Sequence, residues 1–172
     1  MCMRLFRIAA FPVLVAGIVS CCFLQEEAEA AGPQYKWSRT EFPPRPSVVS
    51  GHAMAYDSAR GRTVLFGGTE LFFDPQVNET WEYDGSSWEL IETATSPSPR
   101  RAHAMVYDSA RSKIVLFGGQ LSGAFTTFGD TWEYDGTDWE LVETETSPPA
   151  QSNHAMAYDS VRGRVVLFSG KA

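Results

Sequence analysis

Apolar and polar residues alternate over short stretches of this chain instead of recurring at helical spacing. Residues 103–107 place His, Met and Tyr on one face and Ala104 and Val106 on the other, the period-two pattern of a strand. Residues 114–117, Ile-Val-Leu-Phe, are a continuous apolar run, which predicts a strand covered on both faces. Thr131–Tyr134 and Trp139–Val142 alternate large and polar residues. Asp135-Gly136 lies between them and predicts a hairpin, because a glycine there accepts positive φ. The four segments together predict a four-stranded antiparallel meander.

The meander repeats. His52, His103 and His154 are 51 residues apart, and the same interval separates Gly68, Gly119 and Gly170, Trp81 and Trp132, and Trp37, Trp88 and Trp139. A fixed period near 50 residues is the mark of a stacked array. Residues 52–68 match 103–119 at 13 of 17 positions, and 80–92 match 131–143 at 10 of 13. The intervening loop, 69–79 against 120–130, matches at 0 of 11, so the framework is repeated while this loop is free to differ. In a meander the loop from second to third strand and the crossing to the next unit leave from the same end. Loops on a rigid scaffold are where binding residues usually sit.

The ordered combination of double glycine (Gly67-Gly68, Gly118-Gly119), later tyrosine (Tyr83, Tyr134) and a tryptophan five residues on (Trp88, Trp139) resembles the kelch repeat, one blade of a β-propeller. Trp81 and Trp132 complete the repeated framework, and the resemblance spans residues 37–170. It implies an all-β, incomplete β-propeller of about two and a half four-stranded antiparallel blades, with the tryptophans and tyrosines packing blade on blade. The expected organisation is an export or lipoprotein signal at 1–30, a linker and lone outer strand at 31–51, kelch blades at 52–102 and 103–153, and the first half of a third blade at 154–172. The third unit departs from the pattern at Ser169, where the others have their first glycine. The first hairpin of the second unit likewise has Ser112 where the others have Gly61 and Gly163.

The N-terminus has a different character. Arg4 and Arg7 precede an apolar run from Ile8 to Leu24, the layout of an export signal. Two processing points are open: Ala28-Glu29-Ala30 is a small-x-small cleavage site, and Ile18-Val19-Ser20-Cys21 resembles the bacterial lipobox, which makes Cys21 the lipidation candidate. The expected product is thus a secreted protein or a cell-envelope lipoprotein, touching membrane only through an N-terminal lipid. All three cysteines, Cys2, Cys21 and Cys22, lie in this segment, so the folded part relies on its core and not on disulfides. The formal charge is −7, which argues against nucleic acid, whose binding needs basic surface.

Two and a half blades fall short of the roughly 4 to 8 of a closed ring. Residues 165–168 would leave an unpaired edge, and each exposed large apolar side chain forgoes about 1.5–3 kcal/mol. Head-to-tail closure by two copies is expected to fail for want of a third strand beside Trp37. Two explanations stay open: the reading frame is a piece of a longer propeller gene with no independent activity, or a further chain completes the propeller.

The variable-loop end carries Phe72, Phe73, Phe125 and Phe128, with Arg100 and Arg101 on a crossing. Aromatics beside arginine bind protein or stack on sugar rings, so a protein or carbohydrate ligand is expected there; the same residues also suit packing between loops. The three period-related histidines are expected on the innermost strand as packing or hydrogen-bonding positions, and no metal or other cofactor is predicted. Galactose oxidase and sialic acid epimerases are enzymes built on kelch blades. The copper site of the former needs a cysteine-linked tyrosine that no residue of the folded region can supply, and fold alone does not convey activity. The expectation is a non-catalytic binding module.

Overall fold

The computed structural model describes residues 23–29, 32–38, 44–47, 49–70, 76–121 and 126–171. The start of the export segment, Cys21 included, lies outside them, as do Phe72, Phe73 and Phe125. The chain divides into two compact units, Met1–Glu41 and Phe42–Ala172. In the first, β1 (Phe23–Glu29) pairs antiparallel with β2 (Gly32–Ser38), setting Leu24 opposite Trp37. The strand expected around Trp37 therefore exists, but it is paired and not solitary. Its neighbour comes from residues assigned by sequence to the export segment.

The second unit holds two four-stranded meanders and the first half of a third. Sheet one is β3 (Ala53–Asp57), β4 (Arg62–Phe66), β5 (Thr80–Tyr83) and β6 (Trp88–Ile91), in that order. Sheet two repeats it with β7 (Ala104–Asp108), β8 (Lys113–Phe117), β11 (Thr131–Tyr134) and β12 (Trp139–Val142). Its second-to-third-strand loop adds a two-residue ribbon, β9 (Gln120–Leu121) with β10 (Thr126–Thr127). Sheet three is β13 (Ala155–Asp159) with β14 (Arg164–Phe168). The sheets have the antiparallel meander order expected of propeller blades, two with four strands and one with two. Among the described residues no helix is long and apolar enough to cross a membrane.

Each turn follows from a particular residue. The carboxylate of Asp57 accepts the amides of Ala59 and Arg60, and Asp108 does the same for Ala110 and Arg111. At the outer hairpins Asp84 and Asp135 accept the amides two and three residues on, and Gly85 and Gly136 take φ of 100° and 103°. Asp-Gly is the residue pair such turns favour, since a short carboxylate can bond its own backbone while glycine bears the positive φ.

First strands lie beside first strands, β3 against β7 and β7 against β13, so the sheets stack around a common inner line. The core fills the gap between sheets one and two: Ala55, Val64, Phe66, Met105, Ile114, Leu116, Tyr134 and Trp139. Burial tracks position in the stack more than sequence. Met54 is 46% exposed, while its repeat equivalent Met105 is 7% exposed because β7 has a sheet on each side.

Candidate functional site

The seam between sheets is built from the residues that the repeat conserves. Trp139 of sheet two is 1% exposed, donates Nε1–H to Thr80 Oγ1 at 2.9 Å and meets the Phe66 ring edge-on at 5.1 Å. Tyr134 donates its hydroxyl to Glu82 at 3.0 Å. Arg60 ties the same carboxylate at 2.6 Å, bonds Asp57 at 2.6 Å and sits over the Tyr134 ring. Sheet two repeats the trio with Arg111, Asp108 and Glu133. From the strap beyond β6, the Thr95 hydroxyl donates to the Trp139 carbonyl and the Ala94 amide donates to Asp138.

The double glycines serve this seam. Gly67 has φ of 65°, and a Cβ there would lie 2.7 Å from the Arg100 carbonyl oxygen. At Gly118 the corresponding contact is the Gln151 carbonyl at 2.5 Å. Gly68 and Gly119 donate their amides to those same two carbonyls at 2.9 Å. Each crossing therefore rests its backbone on the Gly-Gly corner of the preceding sheet, which leaves no room for a side chain.

The histidines complete that corner. His103 meets Phe66 edge-on at 5.6 Å and His154 meets Phe117 at 5.5 Å, so each imidazole covers the preceding sheet. Burial, with the nearby Arg100 cation, holds the His103 pKa down to about 3, and burial also lowers that of His154. Among the described residues no cluster of three or more His, Cys, Asp or Glu is arranged to hold a metal ion.

The variable loops and crossings do share one end. Arg101 and Gln120 exchange backbone bonds at 3.1 and 2.9 Å, Ser50 pairs with Thr69, and the Gln151 amide reaches the Phe128 carbonyl at 3.1 Å. The residues expected to bind there separate into different roles. Arg100 is fully buried, contrary to its predicted place on the surface. Its guanidinium holds Asp130 through two bonds of 2.6 and 2.8 Å, donates to the Gly118 carbonyl at 3.0 Å and stacks 4.2 Å from the Phe128 ring. Burial pushes the Asp130 carboxyl up, but the bonds from Arg100 and Trp132 outweigh it and hold the pKa below the usual value. Arg100 is thus an internal strut and Phe128, half-buried, is its platform. Arg101 stays partly exposed at the loop end.

Missing from the sequence reading was the strut itself. Arg100 has Val49 and Gln151 as its repeat equivalents, and its partner Asp130 sits in the loop that does not repeat. A charged pair present in only one unit leaves no periodic trace.

The KLHDC2/KLHL20/DRC7 Kelch-repeats domain family matches residues 33–172, covering both complete sheets and the half sheet. The chain belongs to the kelch-repeat family. The chain is similar to Mei4-dependent protein 6 of Schizosaccharomyces pombe (strain 972 / ATCC 24843), 28% identical over 135 residues, 70% of this chain and 19% of that protein. Multiple epidermal growth factor-like domains protein 8 is 28% identical in Mus musculus and 27% in Homo sapiens, each over 118 residues, 64% of this chain and 4% of the relative. The chain thus spans a fifth or less of these relatives' lengths. Kelch-repeat domains typically mediate protein binding and are generally non-catalytic.

Proposed function

We propose that this chain is an exported, non-catalytic kelch module that binds a protein partner through the end of the sheets where residues 69–79 and 120–130 meet the crossings. The observation that carries this reading is the contrast within the chain. Framework positions repeat almost unchanged, the two loops match at no aligned position, and backbone bonds such as Arg101 to Gln120 hold the loops to rigid crossings. Arg101, partly exposed, is a cation at that end, whereas Arg100 is used inside the fold. Export rests on the N-terminal segment, with processing before Cys21 or after Ala30. Both would deliver the module to the outside of the membrane.

The test replaces residues 70–75 and 121–127 with Gly-Ser loops and changes Arg101→Glu. Both variants are compared with the parent chain in chemical cross-linking on intact cells. Loss of the cross-linked partner, with near-UV circular dichroism unchanged, supports the loop end as the site. Capture that persists in both variants excludes it. Fractionation of the same cells that leaves the chain in the cytosol would overturn the exported role.

A further inference from the structure

Where the chain crosses from one sheet to the next, it buries an imidazole at the inner line. His103 and His154 are 6% and 8% exposed. All four of their ring nitrogens are shut off from solvent, and none makes a well-formed hydrogen bond. The Phe66 carbonyl near His103 and the Phe117 carbonyl near His154 only ease that burial. Around His103 stand the Phe66 ring on β4, the Gly67 corner, Arg100 on its own crossing, and His52 and His154 at the heads of the neighbouring inner strands. The charged and titratable groups among these, Arg100, His52 and His154, all oppose a further positive charge there. Asp130 is engaged by Arg100 through two bonds.

The crossings behind these rings are held under strain. Gly68 donates its amide to the Arg100 carbonyl at 2.9 Å, and Ala102 donates to the Gly51 carbonyl at 2.7 Å. Ala102 has φ of 57°, which a non-glycine residue keeps only where its surroundings enforce it. One period on, Gly119 donates to the Gln151 carbonyl, Asn153 donates to the Ala102 carbonyl at 2.8 Å, and Asn153 also has φ of 57°. We propose that His103 and His154 form an acid-sensitive latch: protonation lifts each crossing off its Gly-Gly corner and frees the loop end, while the outer half of the seam stays shut. A closed corner gives an imidazolium neither water nor a counter-charge, so the proton is taken up as the ring leaves its cover. Opening also relaxes Ala102 and Asn153. The outer seam responds differently. The bond from Trp139 to Thr80 joins an indole to a hydroxyl and does not titrate, and burial raises the Tyr134 pKa, so its hydroxyl stays a donor. A partner held at the loop end would be shed on acidification; that consequence rests on the function proposed above, whereas the latch itself does not.

The His103 ring has a pKa of about 3 when covered and near 6.5 when released. The closed corner is therefore favoured in full above about pH 6.5 and loses ground as pH falls, so opening at about pH 5 should be roughly 25-fold more frequent than at neutral pH. The measurement is amide hydrogen exchange on the full chain at both pH values, corrected for intrinsic rates. The amides of Gly68 and Ala102 should show that rise, those of Gly119 and Asn153 should move the same way, and the ladder amides of β4 and β5 should hold. His103→Gln should cancel the change at Gly68 and Ala102 and keep it at Gly119 and Asn153; His154→Gln should do the reverse. The two variants keep the test decisive should one of them fold poorly. Uniform loss across the strands, no difference between the two pH values, or a change that survives at the corner whose histidine is replaced overturns the proposal.

Discussion

Ser112 adopts φ of 54° in the turn where Gly61 and Gly163 have 66° and 63°, so a residue with a Cβ occupies a left-handed position. A non-glycine residue there costs about 1–2 kcal/mol, against roughly 0.5–1 kcal/mol of extra chain entropy lost by glycine. Ser112→Gly should therefore stabilise the protein by about 0.5–1 kcal/mol, read as a raised midpoint in urea unfolding; a lowered midpoint would refute it. His103 gives the pH counterpart. Its folded pKa is depressed to about 3 against an unfolded value near 6.5, so the unfolded chain takes up the proton first as pH falls. The neutral-imidazole contribution is complete above about pH 6.5, declines below it and is fully lost under about pH 3. At pH 5 the loss is about 2 kcal/mol, and His103→Gln should flatten the slope of stability between pH 6.5 and 4. Above about pH 5 the carboxylates Asp57, Asp108 and Asp130, all with lowered pKa values, add little to that slope. Residues whose role is local, such as the Asp-Gly turns, were legible in sequence. Arg100 was not, because its burial depends on Asp130, thirty positions away, and its own repeat positions hold Val49 and Gln151.

At the level of sheets, strand identities and order were legible because alternation and the 51-residue period report the same four segments. The strand boundaries shifted by one residue at β7 and β8, where both faces are covered and the polar–apolar contrast fades. What the period alone does not reveal is why two glycines recur, and that reason is the crossing carbonyl laid on each corner. Gly118→Ala places a Cβ 2.5 Å from the Gln151 oxygen, whereas Gly61→Ala meets nothing within 4 Å at nearly the same φ. Both variants bear the same backbone strain, so their difference isolates the seam. Gly118→Ala should strip β13 and β14 of amide protection while β3–β6 keep theirs, and Gly61→Ala should lower stability without that selective loss. Equal exchange patterns in the two would mean that the carbonyl contact does not hold the third sheet.

For the second unit as a whole, the weak point is the outer edge. Phe168 and Val161 are 78% and 90% exposed beside an edge strand with open backbone groups, the arrangement that natural sheets blunt with charge. Phe168→Lys should slow concentration-dependent aggregation, measured by light scattering at neutral pH, without lowering the unfolding midpoint by more than about 0.5 kcal/mol. A marked loss of stability would instead assign Phe168 to the core. The open edge was readable from the unit count.

The repetition of the seam has one further result. The contacts that recur across it join residues at fixed phases of the same cycle: Trp139 to Thr80, Gln151 to Gly119, His154 to Phe117. Inserting or removing one whole cycle therefore keeps these recurring contacts in phase, while a change of any other length puts every downstream contact out of phase. Growth of such a gene by duplication keeps these contacts in register in steps of 51 residues, and Ser169, with φ of 63°, stands where the earlier units have their first glycine.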